Sequence, residues 1–223
     1  MENEFSAASE DGYIEIVRRL LKENIDPSVD DNYAIRAACE NGHTDIVKIL
    51  IDDERVDPSV DDNYAFRFAA QNGHLAVVEL LLTDRRVDPS ADNNYAIRFA
   101  AQNGHVDVVR RLLADRRVDP SVNNNQVIKI SSQNGHVGVV ELLLTDHRVD
   151  PSVDNNYAIG VSSEIGYVEV VRRLLADRRV DPSADNNYAI RFACRNGHIA
   201  VVELLLEYYP RYHISIFAIN TYT

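Results

Sequence analysis

Cysteine is scarce in this chain of 223 residues, which has only Cys39 and Cys194. Two thiols make no disulfide framework, and the composition fits a reducing compartment. Long apolar runs are missing too, since none approaches the ~18 residues that a membrane-crossing helix requires. The opening stretch, MENEFSAASEDGY, has neither the basic nor the apolar region of a secretory signal. These absences predict a soluble intracellular protein, cytoplasmic, without a membrane partner. Basic residues are outnumbered, 23 Lys and Arg against 35 Asp and Glu, for a net charge of −12. Nucleic-acid affinity comes mostly from clustered Lys and Arg releasing counterions, so no nucleic-acid partner is expected. No GxSxG, HExxH, phosphate-binding glycine loop or paired CxxC occurs. The expectation is a non-catalytic protein with no cofactor and no metal.

What the sequence does have is a beat. Gly12, Gly42, Gly73, Gly104, Gly135, Gly166 and Gly197 recur at 30 residues once and at 31 thereafter. Pro27, Pro58, Pro89, Pro120, Pro151 and Pro182 keep the same 31-residue step inside Asp-Pro-Ser. Each copy reads roughly YAIRFAAQNGHxxVVxLLLxDxRVDPSxDN. Tyr95 to Gln102 is a short helical pattern with Ile97, Ala100 and Ala101 on one face, stopped by Asn103-Gly104. In a second helix Val106, Val109, Leu112 and Leu113 make the apolar side, with Asp107, Arg110 and Arg111 outward. The segment RRVDPSVNNN is turn chemistry, because Pro fixes φ while Asp and Asn tolerate left-handed φ.

Isolated helices shorter than ~12 residues are marginal in water, so each pair must lean on the next, about 8–10 Å away. The predicted fold is all-α, a solenoid of seven helix-turn-helix repeats. The repeats fall at about 1–30, 31–61, 62–92, 93–123, 124–154, 155–185 and 186–210, in one domain with a C-terminal tail at 211–223.

A helix-turn-helix-loop copy with Ala-Ala, then Asn-Gly-His, then Val-Val-x-Leu-Leu resembles the ankyrin repeat over nearly the whole chain. Tyr95-Ala96-Ile97-Arg98 stands where that family usually has Thr-Pro-Leu-His, the step is 31 rather than about 33 residues, and Asn replaces the tip glycine. The departures leave a regular β-hairpin and a tighter irregular turn as alternatives for the loop tip. Divergent copies of this kind are similar to the arrays of giant DNA viruses and protists. The resemblance implies protein binding, and it implies that His43, His74, His105, His136 and His198 help hold the turn.

Those histidines do not form a metal set by geometry. Zinc–nitrogen bonds of ~2.0–2.1 Å need donors a few ångströms apart, whereas successive repeats separate the rings by about 8–10 Å. Asp88 to Asn94 has oxygen side chains at alternate positions like the start of a calcium loop, but Asn93 and Phe99 stand where Gly and a bidentate Glu are required. Cys39 and Cys194 occupy a position that is Ala in other copies, which predicts buried packing residues.

Two charge rows also repeat. Glu79, Arg110, Glu141, Arg172 and Glu203 alternate in sign at one position, either as a lateral ion ladder or as a trace of duplication. Arg36, Arg67, Arg98, Lys129 and Arg191 lie near Asp61, Asp62, Asp92, Asp154 and Asp185, either as internal pairs orienting the loops or as a basic stripe for an acidic ligand.

The pattern breaks in two consecutive copies. Gln126 to Ser132 reads QVIKISS, and Gly160 to Ile165 reads GVSSEI, with Tyr167 in place of His. Binding predicts that Gln126, Lys129, Gln133, Gly160, Glu164 and Ile165 form a partner patch on the concave face. Drift predicts only a weaker joint, because Gly and Ser lower helix propensity. At the ends, Phe5 fills the Ile position beneath a polar face of Glu2, Glu4, Glu10 and Asp11, and the tail RYHISIFAINTYT is either a cap or an anchor for a partner or second copy. The reading is a non-catalytic scaffold whose acidic tips suit a basic patch on a protein partner. The alternative is an assembly protein that self-associates or coats a larger particle through its ends and tail.

Overall fold

The computed structural model describes residues 1–208; the tail 211–223 and the end of the seventh repeat lie outside them. Among the described residues there are fourteen helices and no strand. They divide into two compact units, Met1–Asp119 and a second beginning at Pro120. The first holds the pairs α1 (Glu2–Glu10) and α2 (Ile14–Lys22), α3 (Val29–Glu40) and α4 (Thr44–Ile51), α5 (Val60–Gln71) and α6 (Leu75–Leu81), α7 (Ala91–Gln102) and α8 (Val106–Leu113). The second holds α9 (Val122–Gln133) and α10 (Val137–Thr145), α11 (Val153–Ile165) and α12 (Val168–Ala176), α13 (Ala184–Arg195) and α14 (Ile199–Tyr208). In each unit the first helix of a pair packs on the first helix of the next, as α3 does on α5 and α9 on α11, so each unit is an all-α solenoid.

The loop tip is the irregular alternative, and its conformation is specific. In each odd-numbered helix from α3 to α13, the three Asp/Asn residues before the aromatic position are left-handed. Asp61, Asp62 and Asn63 have φ of 53°, 51° and 61°, and Asp92, Asn93 and Asn94 have 50°, 53° and 56°. A left-handed turn disfavours ordinary L-residues by roughly 1–2 kcal/mol each, with Asn and Asp the tolerated exceptions. That is why these triplets contain nothing else. Right-handed helix then begins at the Tyr (Gln in α9), as the Tyr95–Gln102 pattern predicts.

Three contacts hold this turn. The third residue of each triplet reaches into the next repeat: Asn63 Oδ1 accepts the Asp88 amide at 2.8 Å and Asn125 Oδ1 accepts that of Asp150 at 2.8 Å. The first-helix Arg donates to the turn carbonyls, with Arg36 Nε on Asp31 O and Nη2 on Asp30 O, both at 3.0 Å. Asp-Pro-Ser closes on itself, Asp57 accepting the Ser59 amide at 2.9 Å and its hydroxyl at 2.7 Å. These bonds, the hydroxyl first, hold the Asp57 carboxyl below its ordinary range.

A second set of staples lies behind the first. Arg86 grips Asp84 with Nε and Nη2, at 3.1 and 2.6 Å, while its Nη1 donates to Val56 O of the preceding repeat at 2.8 Å. Arg55, Arg117 and Arg179 repeat the arrangement on Ile25, Val87 and Val149 carbonyls. The side-chain hydrogen bond from Arg keeps Asp84, Asp115 and Asp177 below the usual carboxylate range.

Several sequence expectations are corrected. In α8 the fully buried side chains are Val108, Val109 and Leu112, while Val106 and Leu113 are half-buried. The inward stripe is shifted because α8 packs on α7 and α6 together. The alternating ladder does not form: Glu141 pairs with Arg173 at 2.6 Å, whereas Arg172 turns to Glu169 within its own helix at 3.3 Å. Side chains one position apart point about 100° apart on a helix, so the register of neighbouring helices selects Arg173. Cys39 is buried, but Cys194 is exposed. It lies on α13, and among the described residues no further first helix covers that face.

Candidate interaction surface

Each of the six singled-out residues has a definite place in the second unit. Gln126, Lys129 and Gln133 stand on α9, and Gly160, Glu164 and Ile165 on α11. Lys129 Nζ lies 2.6 Å from Asp154 Oδ2, whose other oxygen accepts the Asn124 amide at 2.7 Å. In the first unit Arg67 meets Asp92 at 3.0 Å and Arg36 meets Asp61 at 3.9 Å. The basic row therefore consists of internal pairs at these positions, each cation reaching the turn of the next repeat.

Gln126, Lys129 and Gln133 line one open pocket, and Gly160 and Glu164 line another of about 240 Å³. Asp154 and Tyr157 are walls of both, so five of the six residues border adjoining hollows. Ile165 lines neither. It is 40% exposed at the end of α11, in the place that Asn holds in other repeats. Gln133 Oε1 accepts the Tyr157 hydroxyl at 3.3 Å, and Glu164 accepts that of Tyr188 at 2.6 Å. The carboxylate bond to Glu164 and burial push the Tyr188 phenol up to about 12.

At the other turn of the repeat, Asn and His act together. Asn72 Nδ2 and His74 Nε2 both donate to the Glu40 carbonyl, each at 2.9 Å, and Asn196 and His198 do so to Glu164 at 2.7 and 2.9 Å. His43 reaches Glu10 O at 2.8 Å and His105 reaches Gln71 O at 2.9 Å. His136 takes the same position ahead of α10. In the broken repeat Ile165 and Tyr167 replace the pair, and among the described residues no side chain donates to the Gln133 carbonyl. Tyr167 still covers Gly135, its ring 3.0 Å from where a Cβ would be. Ser131 and Ser162 return their hydroxyls to carbonyls one turn back at 2.8 Å, whereas the buried Ser132 and Ser163 hydroxyls have no partner.

Sequence reasoning missed Tyr157 and Tyr188, which line the Gly160 pocket, and named Asp185, which lines it too, only as a loop neighbour of the basic row. The readable signal was Gly160 itself, the one non-basic residue in the row between Arg36 and Arg191. Elsewhere the chemistry is quiet. Burial pushes the Cys39 thiol far up and that of Cys194 up as well, away from a reactive thiolate. Among the described residues no group of His, Cys, Asp or Glu is arranged to hold a metal ion, and no helix is long and apolar enough to cross a membrane.

A family model described as ankyrin repeats (3 copies) matches residues 5–93 and 66–155. No curated protein matches the chain. Ankyrin repeats are generally protein–protein interaction modules, and the proteins that carry them are typically non-catalytic scaffolds. With most of its length matched, and with helix pairs repeating through both units, the chain belongs to the ankyrin-repeat family.

Proposed function

We propose that this chain is a non-catalytic scaffold that binds a partner protein through the first-helix face of its fifth and sixth repeats. One observation carries the reading: Gln126, Lys129, Gly160 and Glu164, which depart from the repeat consensus, border two adjoining hollows together with Gln133. Drift alone gives no reason for these four departures to share one surface, while the other breaks at Ser131, Ser132, Ser162 and Ser163 are buried in the core. A preorganised surface loses little entropy on binding, so affinity depends on the side chains it presents. The formal charge of −12 and the acidic turn residues favour a basic patch on the partner.

The test is quantitative affinity capture from the source cell with wild type, a Lys129→Glu/Glu164→Lys double variant and an Arg111→Glu control on α8, all checked for matching melting temperature. The partner set of wild type should survive in the control and disappear in the double variant. Identical sets for wild type and double variant would refute this choice of surface.

A further inference from the structure

The first-helix cations define what surrounds a guanidinium in this fold. Arg36 donates to the carbonyls of Asp30 and Asp31 in its own left-handed turn, and its Nη1 lies 3.9 Å from the Asp61 carboxylate of the next turn. Its guanidinium carbon lies 5.9 Å from the Tyr33 ring and 5.3 Å from that of Tyr64. Arg67 repeats the pattern, 2.9 Å from Asp61 O, 3.0 Å from the Asp92 carboxylate and 5.0 Å from the Tyr95 ring. The socket therefore has two turn carbonyls, one carboxylate of the following turn and flanking tyrosines.

Stepping this socket along the 31-residue period to α11 and α13 gives five counterparts: the carbonyls of Asp154 and Asn155, the Asp185 carboxylate, and the rings of Tyr157 and Tyr188. All five residues line the pocket of about 240 Å³. The residue that would supply the cation is Gly160. Among the described residues no ion pair forms to Asp185, in contrast to Asp61, Asp92 and Asp154. Tyr188 leans over the glycine, its Cδ1 3.2 Å from where a Cβ would stand. The walls of a cation site are thus kept while the chain's own cation is not.

We infer that this pocket accepts the guanidinium of an arginine side chain presented by a partner protein, in place of the cation that the other repeats supply from within. Guanidinium fits better than ammonium because it stacks on aromatic faces and offers five donors in a planar fork to several acceptors. Glu164 and Asp181 add acidic walls that disfavour a ligand carrying its own carboxylate, so a residue within a chain is preferred to a free amino acid. The inference rests on the protein-binding reading above and names the chemistry of the partner.

The experiment uses the isotope-labelled full chain titrated with N-acetyl-arginine amide, its citrulline isostere and free L-arginine, with the amide resonances of Gly160, Asp185 and Tyr188 followed. Saturable shifts are expected with the capped arginine at concentrations on the order of millimolar, and at least about tenfold weaker binding with citrulline. Asp185→Asn should abolish the shifts. Gly160→Arg, which restores the internal cation, should abolish them without lowering the melting temperature. Unmoved resonances, equal response to citrulline, binding undiminished in both variants, or a preference for free L-arginine would overturn the proposal. Because no partner is present, any of these failures leaves the affinity-capture result, and the broader reading, untouched.

Discussion

Asn63 and Asp88, 25 residues apart, are joined by a 2.8 Å bond from the Asp88 amide to the Asn63 side-chain oxygen. The same bond recurs at Asn94 and Asp119 and at Asn156 and Asp181, each at 2.7 Å. One buried side chain thus performs two tasks, accepting the left-handed backbone and fastening the following loop. Asn63→Ala should lose both, destabilising by about 1–3 kcal/mol for the orphaned amide and by a further ~1 kcal/mol for the conformation. Asn63→Gly should lose only the first, because glycine is free at positive φ. Urea unfolding of the pair checks this, and equal losses would show that the turn is not left-handed in solution.

Gly73 and Gly197 share a positive φ, 80° and 75°, but differ in surroundings. A Cβ on Gly73 would lie 2.6 Å from His105 Nδ1, while among the described residues nothing approaches that of Gly197 within 4 Å. Alanine at 197 should therefore lose only conformational stability, on the order of 1 kcal/mol. Alanine at 73 should lose that and also displace His105 from the Gln71 carbonyl. The melting temperature of Gly73→Ala is expected to fall clearly further; the reverse order would mean that the histidine stacking is not formed.

Acid should weaken the Arg–Asp staples in a definite direction. Asp84 and Asp115 are held below their ordinary range chiefly by hydrogen bonds from Arg86 and Arg117. A group whose folded pKa is depressed contributes stability that is fully present above its unfolded value, ~3.9, and is lost as pH falls through the folded value. Wild type should lose urea resistance below about pH 4. Asp84→Asn should be weaker at pH 7 and should decline less on acidification. Comparing variant with wild type at each pH cancels the relief of general acidic repulsion, and parallel curves would exclude the staple as the source.

Ser132 and Ser163 offer a gain rather than a loss. Their hydroxyls are buried without partners where other repeats carry alanine, as at Ala70 and Ala101. Removing an unsatisfied hydroxyl relieves a desolvation penalty of about 1–3 kcal/mol. Ser132→Ala and Ser163→Ala should each raise the melting temperature, whereas Ser131→Ala, which deletes a satisfied bond, should not. No rise in either variant would indicate that water reaches these hydroxyls.

Much of the architecture was legible because it is written in local terms. The apolar face of Ile97, Ala100 and Ala101, the Asn-Gly stop and the Asp-Pro-Ser turn each act over a few residues, and the 31-residue step copies them. What eluded the sequence were directions across repeats. Arg173 and Arg172 are both plausible partners for Glu141 on spacing alone, and only the register of packed helices chooses. The same holds for Gly160, whose departure from pattern is visible, while the hollow beside it is not.

The sequence by itself determined the helix pairs, their period and the restriction of the loop triplets to Asp and Asn, since propensity, capping and tolerance of left-handed φ are properties of single residues and near neighbours. Only the tertiary structure decided which cation meets which carboxylate, which cysteine is covered and where Tyr157, Asp185 and Tyr188 come together. Those outcomes depend on the offset and rotation between stacked repeats, set by side-chain packing over whole faces and fixed by no short stretch of chain.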